Sequence, residues 1–386
     1  MCLPLKNITI LDLTHVLAGP YATRRLGMMG ATIIKIERPG IGDDTRAFPP
    51  FINEESVYFS SLNSGKYSIA LDLKLPNDRA HFEQLLERAD VLVENFRPGT
   101  MARLGYSADD LTKAYPNLIF ASVSGFGQTG PDCLQPAYDM VVQARGGIMS
   151  ITGEYGREPV RVGASVGDII AGMFLLEGIL TALYQRTTTG RAERVDVSML
   201  DSQLAILEHA VAMVSATDTA PRPSGARHPT ITPFDTFHAS DGLFVIACGN
   251  DHLFAQLCRA LDLGDLIHDP RFDSNASRCE NERLLKRYIE QKTLSAPRDH
   301  WINLLKQNGL PTAAIQNVAE AMQDPQILAR EMVLTIPSWT QGLTHKVAGN
   351  PVKIGSQPAS PDCCAAPRLD QDREKILGWI NGQNTL

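Results

Sequence analysis

In the first half of the chain, short apolar runs rich in β-branched residues alternate with stretches of helical spacing. Runs at residues 8–13, 31–36, 68–72, 91–94 and 119–122 predict strands, and residues 20–29 and 80–88 predict helices. Such alternation specifies a parallel sheet covered by helices on both faces. Residues 169–184 form a long apolar segment, for which Ser165 is the candidate N-cap. Glu177 interrupts it and Gln185-Arg186 end it, so a buried core helix is expected rather than a membrane span. A strand over 194–198 and one helix over 199–214 follow, and then a Pro-, Ser- and Thr-rich linker near 217–227. Beyond it the texture changes. Runs at 233–239 and 243–248, joined through Asp241-Gly242, read as a hairpin, with helices near 252–261, 281–291 and 298–307. After a second linker near 323–332 come short strands near 333–336 and 351–354 and a terminal helix near 371–379. The expected architecture is therefore α/β: a large doubly wound parallel-sheet domain over 1–220, completed by 325–386, and a smaller α+β domain over 225–322. SQPASPDCCAAP, at 356–367, reads as a loose surface connection.

Composition narrows the function classes. A chain of 386 residues, 44% hydrophobic and 20% charged, has an ordinary globular balance. The net charge of −7 argues against a nucleic-acid-wrapping surface, which needs a broad basic field. The N-terminus carries no signal-peptide pattern, and the 7 cysteines are odd in number with no CxxC pair, so a reducing cytoplasm is the expected setting. The histidines are scattered without metal-ligand spacing, and no metal is expected.

In open parallel sheets, ligands bind beyond the carboxyl ends of the strands. The loops there are THVLAGP, ERPGIGDDTR, DLK, ENFRPGTMARLG and SVSGFGQTGP, and they gather most of the basic residues nearby, Arg38, Lys74, Arg97 and Arg103, with Lys35 just ahead of the second loop. That combination suits an anionic, nucleotide-like ligand. GFGQTG, at 125–130, matches a dinucleotide fingerprint in letters only: Pro131, Asp132 and Cys133 follow where a helix should open, and the match is not in the first strand–helix unit. Asp168 falls in the first turn of the long apolar helix, where the dipole favours an ionised carboxylate, either as a simple helix cap or as a nucleophile.

The motifs then combine. LDLTHVLAGP at 11–20, GATIIKIERPGIGDDTR at 30–46, LNSGKYSIALDLK at 62–74, ENFRPGTMARLG at 94–105, SGFGQTGP at 124–131, PAYDMVVQARGG at 136–147 and VGASVGDIIAGM at 162–173 occur in an order that closely resembles the class III coenzyme A transferases from end to end. The resemblance implies a large Rossmann-like domain with a smaller one, and an interlocked homodimer. It implies no permanently bound cofactor, with coenzyme A and acyl-CoA as substrates. Small molecules, an acyl-CoA and a carboxylate, are the implied ligands, with neither nucleic acid nor membrane as partner. By the same resemblance Asp168 is the catalytic residue, taking the acyl group as an anhydride and then CoA as a thioester. Leu17, Ala18, Arg38, Leu71, Asp72, Leu73, Lys74, Asn95, Phe96, Arg97 and Arg103 match positions that line the CoA site. His15, Tyr138 and His228 match the substrate end, although His15 also reads as a strand-end histidine held by its own bonds, and Phe96 as core.

Departures from the family pattern bear on the substrate. The glycine run of formyl-CoA:oxalate transferases is absent from the small domain, where SGARHPTITPFDTFHASDG stands instead. Arg227-His228-Pro229, Pro233-Phe234-Asp235 and GDDTR at 42–46 resemble the acetyl-CoA:oxalate branch. The expected reaction moves CoA from a short acyl-CoA (acetyl-, formyl- or succinyl-CoA) to a small carboxylic acid. Oxalate is the first choice of acceptor, with itaconate, mesaconate or malate as alternatives. The α-methylacyl-CoA racemases share the fold but carry a His-Asp pair where Tyr138-Asp139 stands, so one acid/base partner is missing here. A CoA or nucleotide sensor without turnover is the non-enzymatic alternative.

Overall fold

The computed structural model describes residues 3–355 and 364–386, and most of the 356–367 connection lies outside them. Six parallel strands form the main sheet: β1 (Thr9–Asp12), β2 (Thr32–Glu37), β3 (Tyr67–Ala70), β4 (Val91–Glu94), β5 (Ile119–Ser124) and β6 (Val195–Ser198). They lie in the order β3-β2-β1-β4-β5-β6, the doubly wound arrangement. The order reverses between β1 and β4, so the loops leaving these two neighbours diverge and open a crevice. Every residue of β4 and β5 is buried, which explains their apolar starts, Val91–Val93 and Ile119–Ala121, in place of the alternation of a half-wet sheet.

Helices cover both faces. α1 (Ala18–Met28) follows β1, α2 (Val57–Asn63) precedes β3, α3 (Pro76–Leu86) joins β3 to β4, and α4 (Asp139–Arg145) and α5 (Val166–Thr189) lie between β5 and β6. One core, on the α1 and α5 side, is built from Ile10, Leu26, Ile33, Val93, Val123, Leu175 and Ile179. The other joins Leu11, Ile34, Phe82, Leu92 and Phe120 to Ile376 and Ile380 of the terminal helix Arg373–Ile380. α5 is long and apolar enough to cross a membrane, but Ala171, Gly172, Leu175, Leu176, Ile179, Ala182 and Leu183 form a buried stripe within it.

Contacts divide the chain into two compact units: 1–149, 161–219 and 324–386 in one, 150–160 and 220–323 in the other. Residues 150–160, expected within the 1–220 domain, belong to the smaller unit, where the Gly225 N–H donates to the Gly153 carbonyl at 2.9 Å. This polar segment has no apolar periodicity by which sequence could have placed it. The smaller unit holds an antiparallel sheet of three strands, Phe234–Ala239, Gly242–Ala247 and Thr312–Ala314, packed on helices Asp251–Ala260, Glu282–Thr293 and Arg298–Gln307.

Two sequence expectations fail. Residues 199–214 are two helices, α6 (Met199–Ala205) and α7 (Glu208–Thr217), because the chain turns at Ile206-Leu207 with nothing in composition to mark it. No strand forms at 351–354; Val333–Pro337 pairs instead with Thr344–Ala348, a two-stranded ribbon with one buried face (Ile336, His345, Val347) that the mostly polar sequence THKVA did not reveal.

Candidate active site

The loop after β1 is shaped from beneath by buried charge. Asp12 accepts from Lys66 Nζ at 2.8 Å and from Thr23 Oγ1 at 2.7 Å, and Lys66 is held further by Asn63. Lys35 Nζ lies 2.9 Å from Asp43 and donates to the Thr14 carbonyl at 2.7 Å. Burial alone would raise the Asp12 carboxyl, but Lys66 and Lys35 overcome it and hold the group well below the usual carboxylate range. Asp43 also accepts from the Val16 N–H at 3.2 Å. Val16 has φ of 66°, the left-handed region that β-branched residues rarely occupy. From β4, Asn95 closes the loop on the other side, accepting from the His15 N–H at 2.9 Å and donating to the His15 carbonyl at 2.7 Å.

This clamp places His15, Leu17 and Ala18 on one wall of a cleft of about 180 Å³ at the carboxyl ends of β1, β4 and β5. Asn95, Phe96 and Arg97 form a second wall, Tyr138 a third, and Asp168 enters from α5. α1 begins at Ala18 without a side-chain cap, and Leu17 and Ala18 line the cleft, so this end offers backbone N–H groups to it. α5 reaches the same place through glycine: a Cβ on Gly172 would lie 2.6 Å from the Ala18 carbonyl oxygen. Gly172 is one turn beyond Asp168, so the nucleophile candidate shares the helix face that meets the start of α1.

Asp168 is not a helix cap. Ser165 occupies the N-cap position but makes no side-chain capping bond. The first-turn amide of Gly167 donates instead to Asp139 Oδ1 at 2.8 Å, from the first residue of α4. With the cap supplied from outside, the Asp168 carboxyl faces the cleft, and among the described residues no hydrogen bond steadies its charge. Burial, and then the neighbouring Asp139 carboxylate, push it up to about 7. The expectation that the helix dipole keeps Asp168 firmly ionised is thereby corrected, since desolvation and a like charge outweigh a half-charge at a helix end.

His15 is not the self-satisfied strand-end histidine: its Nδ1 is buried with no hydrogen-bond partner, 3.9 Å from an Asp44 oxygen, and its ring tilts against Phe96 at 5.8 Å between centroids. Burial lowers its affinity for a proton although Asp43 and Asp44 oppose this, so it is a neutral ring at neutral pH. Phe96 lines the cleft and also flanks the sheet core. Tyr138 is 75% exposed, free to meet a ligand.

The other sequence candidates lie elsewhere. Arg38 pairs with Asp44 and bonds the Gly42 carbonyl outside the cleft lining. Leu71 and Leu73 are core side chains, and so have only backbone to offer a ligand; Asp72 accepts from the Lys74 N–H, and Lys74 is exposed. Arg103 bonds Thr100 Oγ1 at 2.8 Å on the surface. β2 and β3 lie on the far side of β1 from β4, and of their loops only Asp43 and Asp44 approach the cleft, from behind Val16 and His15. His228 belongs to the smaller unit, its ring against Phe234 at 5.3 Å. Sequence reading missed Asp139 and Gln143 as site residues. The only signal was a pair of polar residues spaced i, i+4 in a helix that also presents Val142 to the core.

The cleft thus lies at the strand reversal of a doubly wound sheet and is lined by both the uncapped start of α1 and a raised carboxyl. The sequence pattern of CoA-transferase family III matches residues 5–373. The chain belongs to that family and is an enzyme of the CoA-transferase class. An acetyl-CoA:oxalate CoA-transferase from Acetobacter aceti is 46% identical over 95% of this chain and 93% of its own length. A succinyl-CoA:mesaconate CoA-transferase from Haloarcula hispanica is 40% identical over 97% and 95%. The crystal structure of a CAIB/BAIF family protein from Brucella suis superposes with a TM-score of 0.86 at 34% identity, over 98% of this chain and 99% of that one.

Proposed function

We propose that the protein transfers CoA from a short acyl-CoA to a small dicarboxylic acid, with oxalate as preferred acceptor and Asp168 as the covalent carrier. The observation that carries this reading is the open Asp168 carboxyl, relieved of capping by Asp139 and directed into the cleft. An Asp168 oxygen attacks the thioester carbonyl carbon, the C–S bond breaks, and CoA leaves as thiolate from an aspartyl acyl anhydride. The thiolate then attacks the Asp168 carbonyl carbon, expelling the donor carboxylate and leaving an aspartyl-CoA thioester. An acceptor carboxylate oxygen displaces CoA again, and the thiolate takes the new acyl group, restoring Asp168. A carboxylate suits this exchange because its mixed anhydride retains enough free energy to reform a thioester without ATP. Amides at the start of α1, which lines the same cleft, are assigned as donors for the tetrahedral oxyanions.

The acyl end and thioester are assigned to the cleft beside Asp168, with Asn95, Phe96 and Arg97 toward the pantetheine and Arg38, Lys74 and Arg103, which are not among its lining residues, toward the phosphates. Oxalate as acceptor is supported by the Acetobacter aceti relative; the Haloarcula hispanica relative makes mesaconate the first alternative. His15 and Tyr138 are the cleft groups suited to the acceptor carboxylates, and His228 is proposed to join them in an interlocked homodimer. A cytoplasmic setting fits the supply of acyl-CoA.

The test is trapping. Wild-type enzyme incubated with acetyl-CoA, quenched and digested should give an acyl or CoA adduct on the Asp168 peptide, and Asp168→Asn should lose exchange by at least about 10³-fold. Exchange surviving in Asp168→Asn would end the proposal, and steady-state rates across oxalate, mesaconate, itaconate, succinate and malate rank the acceptors.

A further inference from the structure

We propose that Asp139 is a positioning residue for Asp168: it caps α5 from outside, one residue ahead of the nucleophile, and sets a like charge against it. The inference rests on the reading of Asp168 as covalent carrier. Its geometry is a short relay of buried bonds. Asp139 Oδ1 accepts from the Gly167 N–H at 2.8 Å, Asp139 Oδ2 from Gln143 Nε2 at 2.8 Å, and Gln143 Oε1 from the Val162 N–H at 2.9 Å. The segment entering α5 is thus pinned to α4 at Val162 and again at Gly167, on either side of Ser165.

Glycine at 167 is part of the device. A Cβ there would lie 2.6 Å from Val142 Cγ2 and 3.0 Å from Asp139 Oδ1, so any side chain would push the two helices apart and break the cap. A helix end needs an acceptor for its first amides, and when Ser, Thr, Asp or Asn supplies one it normally comes from the N-cap position. Here Ser165 does not supply it. An external cap holds the first turn without occupying the one carboxylate that must stay free to react.

The charge of the cap has its own consequence. A carboxylate beside another disfavours ionisation of its neighbour and raises its basicity, and with it the nucleophilicity of the ionised form. The other groups facing Asp168 do not duplicate this. His15 is neutral, Tyr138 and Tyr58 are phenols, and Arg97 is exposed, while Asp43 and Asp44 are engaged by Lys35 and Arg38.

The experiment compares wild type with Asp139→Asn, which keeps a capping oxygen and removes the charge, and with Asp139→Ser as a second uncharged variant. Adduct formation on Asp168 is followed by rapid quench from pH 4.5 to 8.5, with folding checked by circular dichroism. Wild type should show an acid limb with its midpoint near neutrality. In Asp139→Asn the limb should move to lower pH, so that at pH 5 the fraction of the plateau rate rises about tenfold relative to wild type. A purely structural cap would lower the plateau and leave the limb in place, and that outcome overturns the proposal. If both variants fail to fold, the wild-type limb still decides: a midpoint near 4 refutes the charge coupling. No adduct at any pH in wild type would instead remove the covalent reading itself.

Discussion

As the proposed carrier, Asp168 faces two incompatible demands, since a helix start favours a bound carboxylate and a nucleophile needs a free one. Asp139 takes the first task, and the burial of Asp168 itself, with the Asp139 charge beside it, raises the Asp168 titration to near neutrality. The folded-state value is raised above that of the unfolded chain. Its stabilising contribution is therefore complete below about pH 4 and is lost as pH climbs through about 7. Asp168→Asn removes this dependence. After discounting for the open cleft, the variant should be about 1–3 kcal/mol more stable than wild type at pH 8, with the gap narrowing at pH 5. Urea melts at the two pH values test it, and an equal gap at both would contradict the assigned titration. In the neighbouring loop, Arg97→Ala should raise KM for acyl-CoA about tenfold with kcat little changed, since an exposed guanidinium at the cleft mouth contributes binding rather than chemistry.

The elements around the cleft are held by packing tolerances and by charge pairs hidden from solvent. Gly172→Leu forces side-chain atoms into the Ala18 carbonyl and should cost about 1–3 kcal/mol by thermal melting, with loss of exchange because the start of α1 is displaced. Lys66→Met leaves Asp12 buried without its main cation and should cost about 3–5 kcal/mol, whereas the double change Lys66→Met with Asp12→Leu should recover most of that. Recovery of stability without recovery of activity would show that the buried pair also shapes the loop after β1. Strands β1, β2, β4 and β5, the start of α1 and the apolar body of α5 were readable from periodicity within a residue or three. The break between α6 and α7 and the ribbon at Thr344–Ala348 were not. Both are partly solvent-facing, where tertiary environment rather than apolar spacing settles backbone shape.

At the scale of the whole molecule, the proposed homodimer would cover apolar side chains that a single chain leaves open on α7 and beside it. α7 buries none of its residues although Val211 and Val214 face outward, and Tyr184, Leu204 and Ile206 are also exposed. Light scattering should give twice the chain mass of 42.2 kDa, and charged substitutions at Val211 and Val214 should lower it or reduce solubility. A monomer fully active at nanomolar concentration would defeat the dimer proposal. The sheet class, the strand-end loops and the family were all legible along the chain, because apolar period, turn chemistry and motif order are short-range properties written in consecutive residues. The strand order β3-β2-β1-β4-β5-β6 was not legible, and neither was the exclusion of Arg38 and Lys74 from the cleft, nor the Asp139 cap that frees the nucleophile. Those depend on which distant segments become neighbours, and only the packing of the whole core sets that proximity.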